Sequence, residues 1–159
     1  MRYLLTKIAP IIGRSSEAAR QLASRARRRV QGAERPETDL GRQRELVDAF
    51  VAAAHGGDFE ALMRVLDPEV VLRADRDPAS RGIRGSVAVA QQAVGFARLV
   101  QRAQSVIING APGIVSWLPN GKPMAILAFI VARDRIAEIY VISSPERVEQ
   151  LLDYRPPSR

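Results

Sequence analysis

The sequence lacks cysteine and has a single histidine, His55, among its 159 residues. Without cysteine the chain forms neither disulfides nor thiolate metal sites, and one histidine does not supply the ligands of an ordinary zinc site. No apolar run approaches the roughly 20 residues that a membrane-spanning helix needs. We therefore expect a cytoplasmic protein that has no metal ion, no cofactor and no membrane contact.

Acidic residues are almost missing from positions 1–33, where Glu17 stands against eight lysines and arginines. This segment therefore holds the whole formal charge of the chain, +7. In the rest of the chain 16 basic groups balance 16 acidic groups. Such asymmetry predicts two modules, a basic one suited to a polyanion and a neutral one.

Residues 8–30 of the basic segment read IAPIIGRSSEAARQLASRARRRV. Gly13 can end a helix in the left-handed conformation, and Ser15 or Ser16 can cap the next helix. In that second helix small and apolar residues recur every three or four positions on one face, and polar residues occupy the other. The pattern predicts a helix, a short turn and a second helix that could lie in the major groove of DNA.

The same stretch resembles, without a gap, the promoter-reading helix-turn-helix in region four of extracytoplasmic-function sigma factors. The resemblance rests on Ile8, Ala9, Gly13, Ser15, Ser24, Arg25, Ala26, Arg27 and Arg28. It implies that base edges would be faced by Glu17, Arg20, Gln21 and Ser24. It also implies that phosphates would be held by Arg14, Ser15, Arg25 and Arg28.

Two other interpretations of the basic segment stay open. A serine-rich, arginine-rich and acid-poor N-terminus is also typical of a mitochondrial presequence, and a solvated basic helix needs no partner. Region two of the sigma family has no counterpart in this sequence, and 33 residues fall below the roughly 40 that usually fold alone. The sequence therefore predicts a truncated, sigma-factor-like protein that does not initiate transcription by itself.

Polar residues at 34–41 predict a linker between the partial helix-turn-helix at 1–33 and a second domain at 42–153, with a tail at 154–159. Apolar residues with helical spacing predict a helix that ends at His55-Gly56-Gly57, a second helix capped by Asp58, and a third over 86–101. Strands are predicted over 70–75, 105–109, 113–118, 123–132 and 136–143, with turns at Asn120-Gly121 and Asp134-Arg135.

The strand over 123–132 contains MAILAFIVA, which has no polar alternation, so both of its faces should be covered. We expect the helices to cover one face only. The other face would meet a second copy of the chain, which favours a homodimer, or the basic module.

The second domain resembles the SnoaL-like domain of the nuclear-transport-factor-two-like fold. The resemblance is carried by ELVDAFVAAAHGGDFEALMRVLDPEVVLRAD, VIINGAPGIV, PMAILAFIVARDRIAEIYVI and SPERVEQL. It implies an α+β fold, a cone of three helices on a curved mixed sheet. The domain is also similar to the version that follows region four in one group of these sigma factors.

Two motifs of that sigma-factor group matter for the resemblance. Its regulatory Asn-Pro-Asp-Lys-Leu motif is matched by Ser144 to Val148 with conservative changes. Its Asp-Gly-Gly-Gly-Arg loop is matched only by Asp75 and by the later Arg81 and Gly82. The resemblance implies regulatory contacts at Asp75, Pro145, Glu146 and Arg147.

Relatives of this fold include enzymes that place an acid, a histidine or a tyrosine in an apolar pocket. We expect Asn109, Trp117 and Tyr140 as candidate pocket residues, His55 at an exposed helix end and Asp75 in solvent. No pair of catalytic groups can be assembled from these residues, so we predict no catalytic residue and no enzyme.

The sequence as a whole predicts a protein that contacts promoter-type DNA and carries a regulatory or dimerising SnoaL-like domain. RNA polymerase or a sigma factor is an expected partner. Two alternatives remain: a SnoaL-like ligand-binding protein or enzyme with vestigial helices, and an interaction module that docks on a sigma factor or on polymerase.

Overall fold

The computed structural model describes residues 4–5, 39–77 and 81–153 of the chain. They form an α+β domain in which helices pack on a curved, seven-stranded mixed sheet, so the predicted fold class is confirmed. The predicted DNA-contacting residues at 14–28 lie outside the described residues. Among the residues that are described, no helix is long and apolar enough to span a membrane.

The helices are α1 (Leu40–Gly56), α2 (Phe59–Val65), α3 (Ser86–Ala97) and α4 (Pro145–Asp153). The strands are β1 (Leu4–Leu5), β2 (Leu66–Ala74), β3 (Ile83–Arg84), β4 (Arg102–Ile108), β5 (Ala111–Trp117), β6 (Pro123–Ala132) and β7 (Arg135–Ile142). Their order in the sheet is β1-β4-β5-β6-β7-β2-β3. The β1–β4 and β2–β7 pairs are parallel and the other pairs are antiparallel.

The first two helices begin and end at the residues that local chemistry predicts. The Asp39 carboxylate caps α1 by accepting hydrogen bonds from the backbone N–H groups of Gly41 and Arg42. Gly57 ends α1 with a φ of 64°, a conformation that glycine adopts without a steric penalty. Asp58 then caps α2 by accepting from the N–H of Ala61 at 3.0 Å, as predicted.

Several element boundaries differ from the prediction. Strands β4 and β5 begin at Arg102 and Ala111 rather than at residues 105 and 113. Strand β2 begins at Leu66 rather than at residue 70, and Pro68 lies within a register shift between Leu66 and Val71, where a missing N–H is tolerated. Helix α3 ends at Ala97 rather than at residue 101, because Gln101 donates its N–H to the Trp117 carbonyl and so starts the next strand pairing.

Two hairpins close with two-residue turns in which both residues have positive φ. Asn109 and Gly110 join β4 to β5, with φ values of 50° and 80°. Arg133 and Asp134 join β6 to β7, with φ values of 52° and 62°. The predicted turn at Asp134-Arg135 was wrong by one residue, because Arg135 already pairs with Ala132 in the ladder.

The larger hydrophobic core lies between α1, α2, α3 and one face of the sheet, here named the cavity face. Leu62, Leu66 and Ile139 are completely buried in this core. The rings of Phe50 on α1 and Phe129 on β6 meet edge to face, with centroids 5.3 Å apart. Burial of these large apolar side chains against the curved sheet is the main stabilising contribution to the domain.

The opposite face of the sheet, here named the outer face, carries a second core beneath α4. Val148 and Leu151 of α4 pack with Val115 and Ile126 of the strands, and all four are 1% exposed or less. Strand β6 is therefore covered on both faces, as its apolar sequence predicts. The expectation that helices cover one face only was wrong, because the chain's own C-terminal helix covers much of the other.

Candidate functional site

An apolar cavity of about 170 Å³ lies between α1, α3 and the cavity face of the sheet. Phe50, Ala54 and Phe96 line it from the helices, and Ile114, Leu127 and Val141 line it from the strands. An engineered protein cavity of about 150 Å³ accepts a benzene molecule, so this cavity has room for a ligand of about one aromatic ring.

Few polar side chains line this cavity, and most of them are at its edge or already hydrogen-bonded. His55 and Gln92 are exposed, so they line the part that is open to solvent. The Ser116 hydroxyl donates to the Ala125 carbonyl at 3.2 Å, and Ser143 is positioned through its backbone N–H, which donates to Asp75 at 2.9 Å. The walls are therefore suited to an apolar ligand with a single polar group near His55.

The three predicted pocket residues do not line this cavity. Asn109 is exposed in the turn between β4 and β5, where its positive φ suits an asparagine. Trp117 and Tyr140 pack with the second core on the outer face. The alternation of side chains along a strand explains this error, because Val141 faces the cavity and its neighbour Tyr140 must point the other way.

Trp117 instead forms part of a polar edge of the outer face. The guanidinium of Arg102 lies 5.0 Å from the centroid of its ring, a cation–π contact. The indole Nε1 is buried and has no hydrogen-bond partner among the described residues. Arg102 therefore covers the ring of Trp117 and leaves the indole N–H without an acceptor among the described residues.

Asp75 connects the end of β2 to the start of α4. Its carboxylate accepts hydrogen bonds from the N–H groups of Ser143 at 2.9 Å and Ser144 at 3.4 Å. Arg147 lies 3.6 Å from the same carboxylate. The Asp75 side chain is 1% exposed, so the expectation that it is solvated was wrong: it binds the residues that lead into α4, 68 positions away in sequence.

Two of the predicted regulatory residues, Asp75 and Arg147, thus meet in one place, here named the α4 junction, which consists of Asp75, Ser143, Ser144 and Arg147. Pro145 is the first residue of α4, a position where proline costs the helix no hydrogen bond. The exposed Glu146 carboxylate accepts a hydrogen bond from the Ser144 hydroxyl at 3.0 Å. A carboxylate beside the first turn also interacts favourably with the positive end of the helix dipole.

The charges of the α4 junction also shift the pKa of Tyr140. Burial raises the pKa of its phenol above the ordinary value of 10.0, the negative charge of Asp75 raises the pKa further, and Arg147 opposes the shift. Tyr140 pairs with Arg73 of β2 in the sheet, close to the end of the strand that carries Asp75. Its phenol therefore stays neutral at physiological pH.

The end of the loop before β3 is held by a hydrogen bond from the Arg73 side chain and by close packing at Gly82. Arg73 Nη1 donates to the Arg81 carbonyl at 3.3 Å. Gly82 has a φ of 83°, and a Cβ at this position would lie 2.7 Å from the Leu72 carbonyl oxygen. Gly82, one of the residues that match the family's glycine-rich loop, therefore has a backbone conformation and surroundings that only glycine fits.

No protein-family model matches the sequence. Two curated proteins of Mycobacterium tuberculosis are similar to it. The probable extracytoplasmic-function RNA polymerase sigma factor SigI is 28% identical over 91% of this chain, and the sigma factor SigJ is 31% identical over 89%. The chain spans about half the length of each, 50% of SigI and 51% of SigJ.

Solved structures agree with these sequence similarities. The crystal structure of SigJ from the same organism matches 91% of this chain and 54% of its own, with a TM-score of 0.58 and 28% identity. An NTF2-like protein of unknown function from Mesorhizobium loti matches 69% of this chain and 97% of its own, with a TM-score of 0.52 and 18% identity, which supports the fold alone. The chain is therefore homologous to the C-terminal part of extracytoplasmic-function sigma factors, and its described domain has the NTF2-like fold.

Proposed function

We propose that this protein is a sigma-factor-like transcription protein that contacts promoter-type DNA and is regulated through its NTF2-like domain. The observation that carries the proposal is the similarity to SigJ, which extends over about nine tenths of the chain in both sequence and structure. The concentration of the whole net charge in residues 1–33 supports it independently, because arginine-rich segments bind DNA phosphates.

The proposed DNA contacts lie in the basic segment. Glu17, Arg20, Gln21 and Ser24 would face base edges, and Arg14, Ser15, Arg25 and Arg28 would contact phosphates. Each phosphate contact contributes about 0.9 to the slope of log affinity against log salt concentration. Arg25→Gln together with Arg28→Gln should therefore reduce that slope by about 2.

The experiment is fluorescence anisotropy of the full chain with a labelled promoter-type duplex at several salt concentrations. A matched control is Arg76→Gln together with Arg98→Gln, which removes the same charge from two exposed positions of the neutral domain. Equal slopes in both double variants would place DNA binding outside the basic segment. Absence of salt-dependent binding by the unmodified chain would contradict the proposed function itself.

The α4 junction is the proposed regulatory element. Asp75, Pro145, Glu146 and Arg147 are the predicted regulatory contacts, and the contacts of Asp75 with Ser143 and Arg147 support one element in which the position of α4 depends on Asp75. RNA polymerase or a sigma factor is the proposed partner, with a cytoplasmic location. Co-purification of polymerase with the unmodified chain and not with Asp75→Ala would support this role.

Homodimerisation stays a proposal, although α4 covers much of the face that was expected to need a second copy. Light scattering coupled to size-exclusion chromatography gives the mass directly. A mass near 35 kDa, twice the 17.5 kDa of one chain, would support the dimer, and a mass of one chain would contradict it.

The cavity favours a second candidate function, binding of a small apolar molecule. A ligand that binds only the folded protein raises the free energy of unfolding by about 2.7 kcal/mol at 100 times its dissociation constant. Toluene should stabilise the unmodified chain and have no effect on Ala93→Phe, which fills the cavity. Ala88→Phe, at an exposed position of the same helix, is the matched control.

A further inference from the structure

Four arginines line an open groove of about 380 Å³ that lies away from both the cavity and the α4 junction. The groove is formed by the start of α1, the end of α2 and the turn between β6 and β7. Its charged residues are Arg42, Arg64, Arg133 and Arg135, together with Glu45 and Asp134. This set, here named the arginine groove, has a net charge of +2 within a domain whose total charges nearly balance.

Two of the arginines are fixed by the protein itself. Arg42 donates from Nε and Nη2 to the Asp134 carboxylate at 2.8 and 3.0 Å, and from Nη1 to Glu45 at 3.0 Å. Arg135 Nη1 donates to the carbonyls of Met63 and Leu66 at 3.4 and 3.3 Å. These bonds use both acidic groups of the groove and fix two of its walls.

The other two arginines are not engaged in this way. Arg64 is exposed in the last turn of α2, and Arg133 is exposed in the turn between β6 and β7. Within ranges 39–77 and 81–153, neither guanidinium has a hydrogen-bond or ion-pair partner. Arg133 also has a φ of 52°, a conformation that residues with a side chain rarely adopt, at a position where glycine or asparagine would be less strained.

We propose that the arginine groove binds the phosphodiester backbone of duplex DNA through Arg64 and Arg133. A guanidinium presents parallel N–H donors that match two phosphate oxygens, and because it is more weakly hydrated than an ammonium it loses less hydration on binding. The two fixed arginines are balanced in charge by Asp134 and Glu45, so the net charge of +2 comes from Arg64 and Arg133.

The groove lies beside the start of α1, which follows the basic segment closely in sequence, and this proximity favours DNA as the partner. The inference rests on the proposed function, in which the basic segment holds DNA. Residues 34–38 connect the basic segment to Asp39, which caps α1 beside Arg42. Five residues with their flanking bonds extend at most about 20 Å. A duplex held by the basic segment would thus lie within reach of the groove, and one DNA molecule could contact both.

The experiment measures the salt dependence of duplex binding by the full chain carrying Arg64→Gln and Arg133→Gln. We expect the slope of log affinity against log salt concentration to fall by about 2, about 1 for each arginine. Arg64→Lys with Arg133→Lys should keep the slope while binding more weakly, because lysine keeps the charge and loses the paired donors. Arg76→Gln with Arg98→Gln is again the control of equal charge.

The outcomes separate the groove from the basic segment. A groove variant that matches the control overturns this inference, and it leaves the proposed function intact if Arg25→Gln with Arg28→Gln still lowers the slope. A reduced slope in the groove variant alone supports the groove and contradicts the role of the basic segment. An unchanged DNA slope with loss of polymerase binding would assign the groove to an acidic protein surface and overturn the inference.

Discussion

Replacing Asp75 with alanine should detach the first turn of α4 from the sheet. The change removes two charge-assisted hydrogen bonds, to Ser143 and Ser144, and leaves their N–H groups in a partly buried place. Loss of a capping carboxylate usually costs about 0.5–2 kcal/mol, and a hydrogen bond to a charged group contributes about 1.5–3 kcal/mol. Both ranges describe loss of the same hydrogen bonds, so the total cost is smaller than their sum.

The ion pair with Arg147 adds little to this cost. Its side chain is 39% exposed and its guanidinium nitrogen lies 3.6 Å from the carboxylate, so solvent screening limits the pair to less than about 1 kcal/mol. We expect Asp75→Ala to lower the free energy of unfolding by about 2–3 kcal/mol. Asp75→Asn, which keeps an acceptor oxygen without the charge, should lose about half of that.

Urea denaturation measures the stability, and hydrogen exchange locates the change. The amides of Val148 and Leu151 should exchange faster in Asp75→Ala, while those of the α1 core stay protected. Glu149→Ala is the matched control, since it removes an exposed carboxylate from the same helix. A stability within about 0.5 kcal/mol of the unmodified chain, with unchanged exchange in α4, would refute the role given to Asp75.

Three further outcomes test the packing and electrostatics of the described domain. Gly113→Ala should destabilise it by about 1–3 kcal/mol in urea, because the new Cβ would lie 2.7 Å from the Leu127 carbonyl oxygen and collide with Ile108. Gly95→Ala, a helical glycine with nothing within 4 Å of a new Cβ, should instead stabilise it by about 0.5–1 kcal/mol, and a loss would contradict its open surroundings. Burial and Asp75 raise the pKa of Tyr140 in the folded state, so the stability that the neutral phenol contributes is complete below pH 10.0 and is lost as the pH rises through the folded pKa. Asp75→Asn should lower the pKa of Tyr140, which an NMR titration measures.

Local chemistry in the sequence predicted the junction of α1 and α2 and most strands because neighbouring residues decide them. Asp58 and Gly57 define the junction of α1 and α2 through side-chain capping and positive φ, which act within three residues. Strand β6 has the bounds that its apolar run predicts, residues 123–132. These features depend on contacts close in the chain, which a single sequence contains.

Helix α4 was missed although its signals were present. Ser144 precedes Pro145, a common start of a helix, and Val148, Leu151 and Leu152 follow with helical spacing. The segment SPERVEQL therefore carries a helical pattern as well as the family motif. The strand alternation that would have assigned Tyr140 and Trp117 to the outer face was also available, because Ile139 and Val141 are the core residues on either side of Tyr140.

The contacts of Asp75 and the arginine groove could not be predicted in this way. Asp75 meets Ser143 only after the sheet has formed, since β7 must pair in parallel with β2 before the two ends come together. Arg42 and Arg133 are separated by some 90 positions, so a charge count along the sequence averages them with distant acidic groups. A domain with no net charge can therefore present a positive surface to DNA, because folding selects which charges become neighbours. Outside residues 1–33 the 16 basic and 16 acidic groups balance, so this part of the chain as a whole does not attract DNA strongly. Two free arginines that folding brings together can still form a local phosphate site.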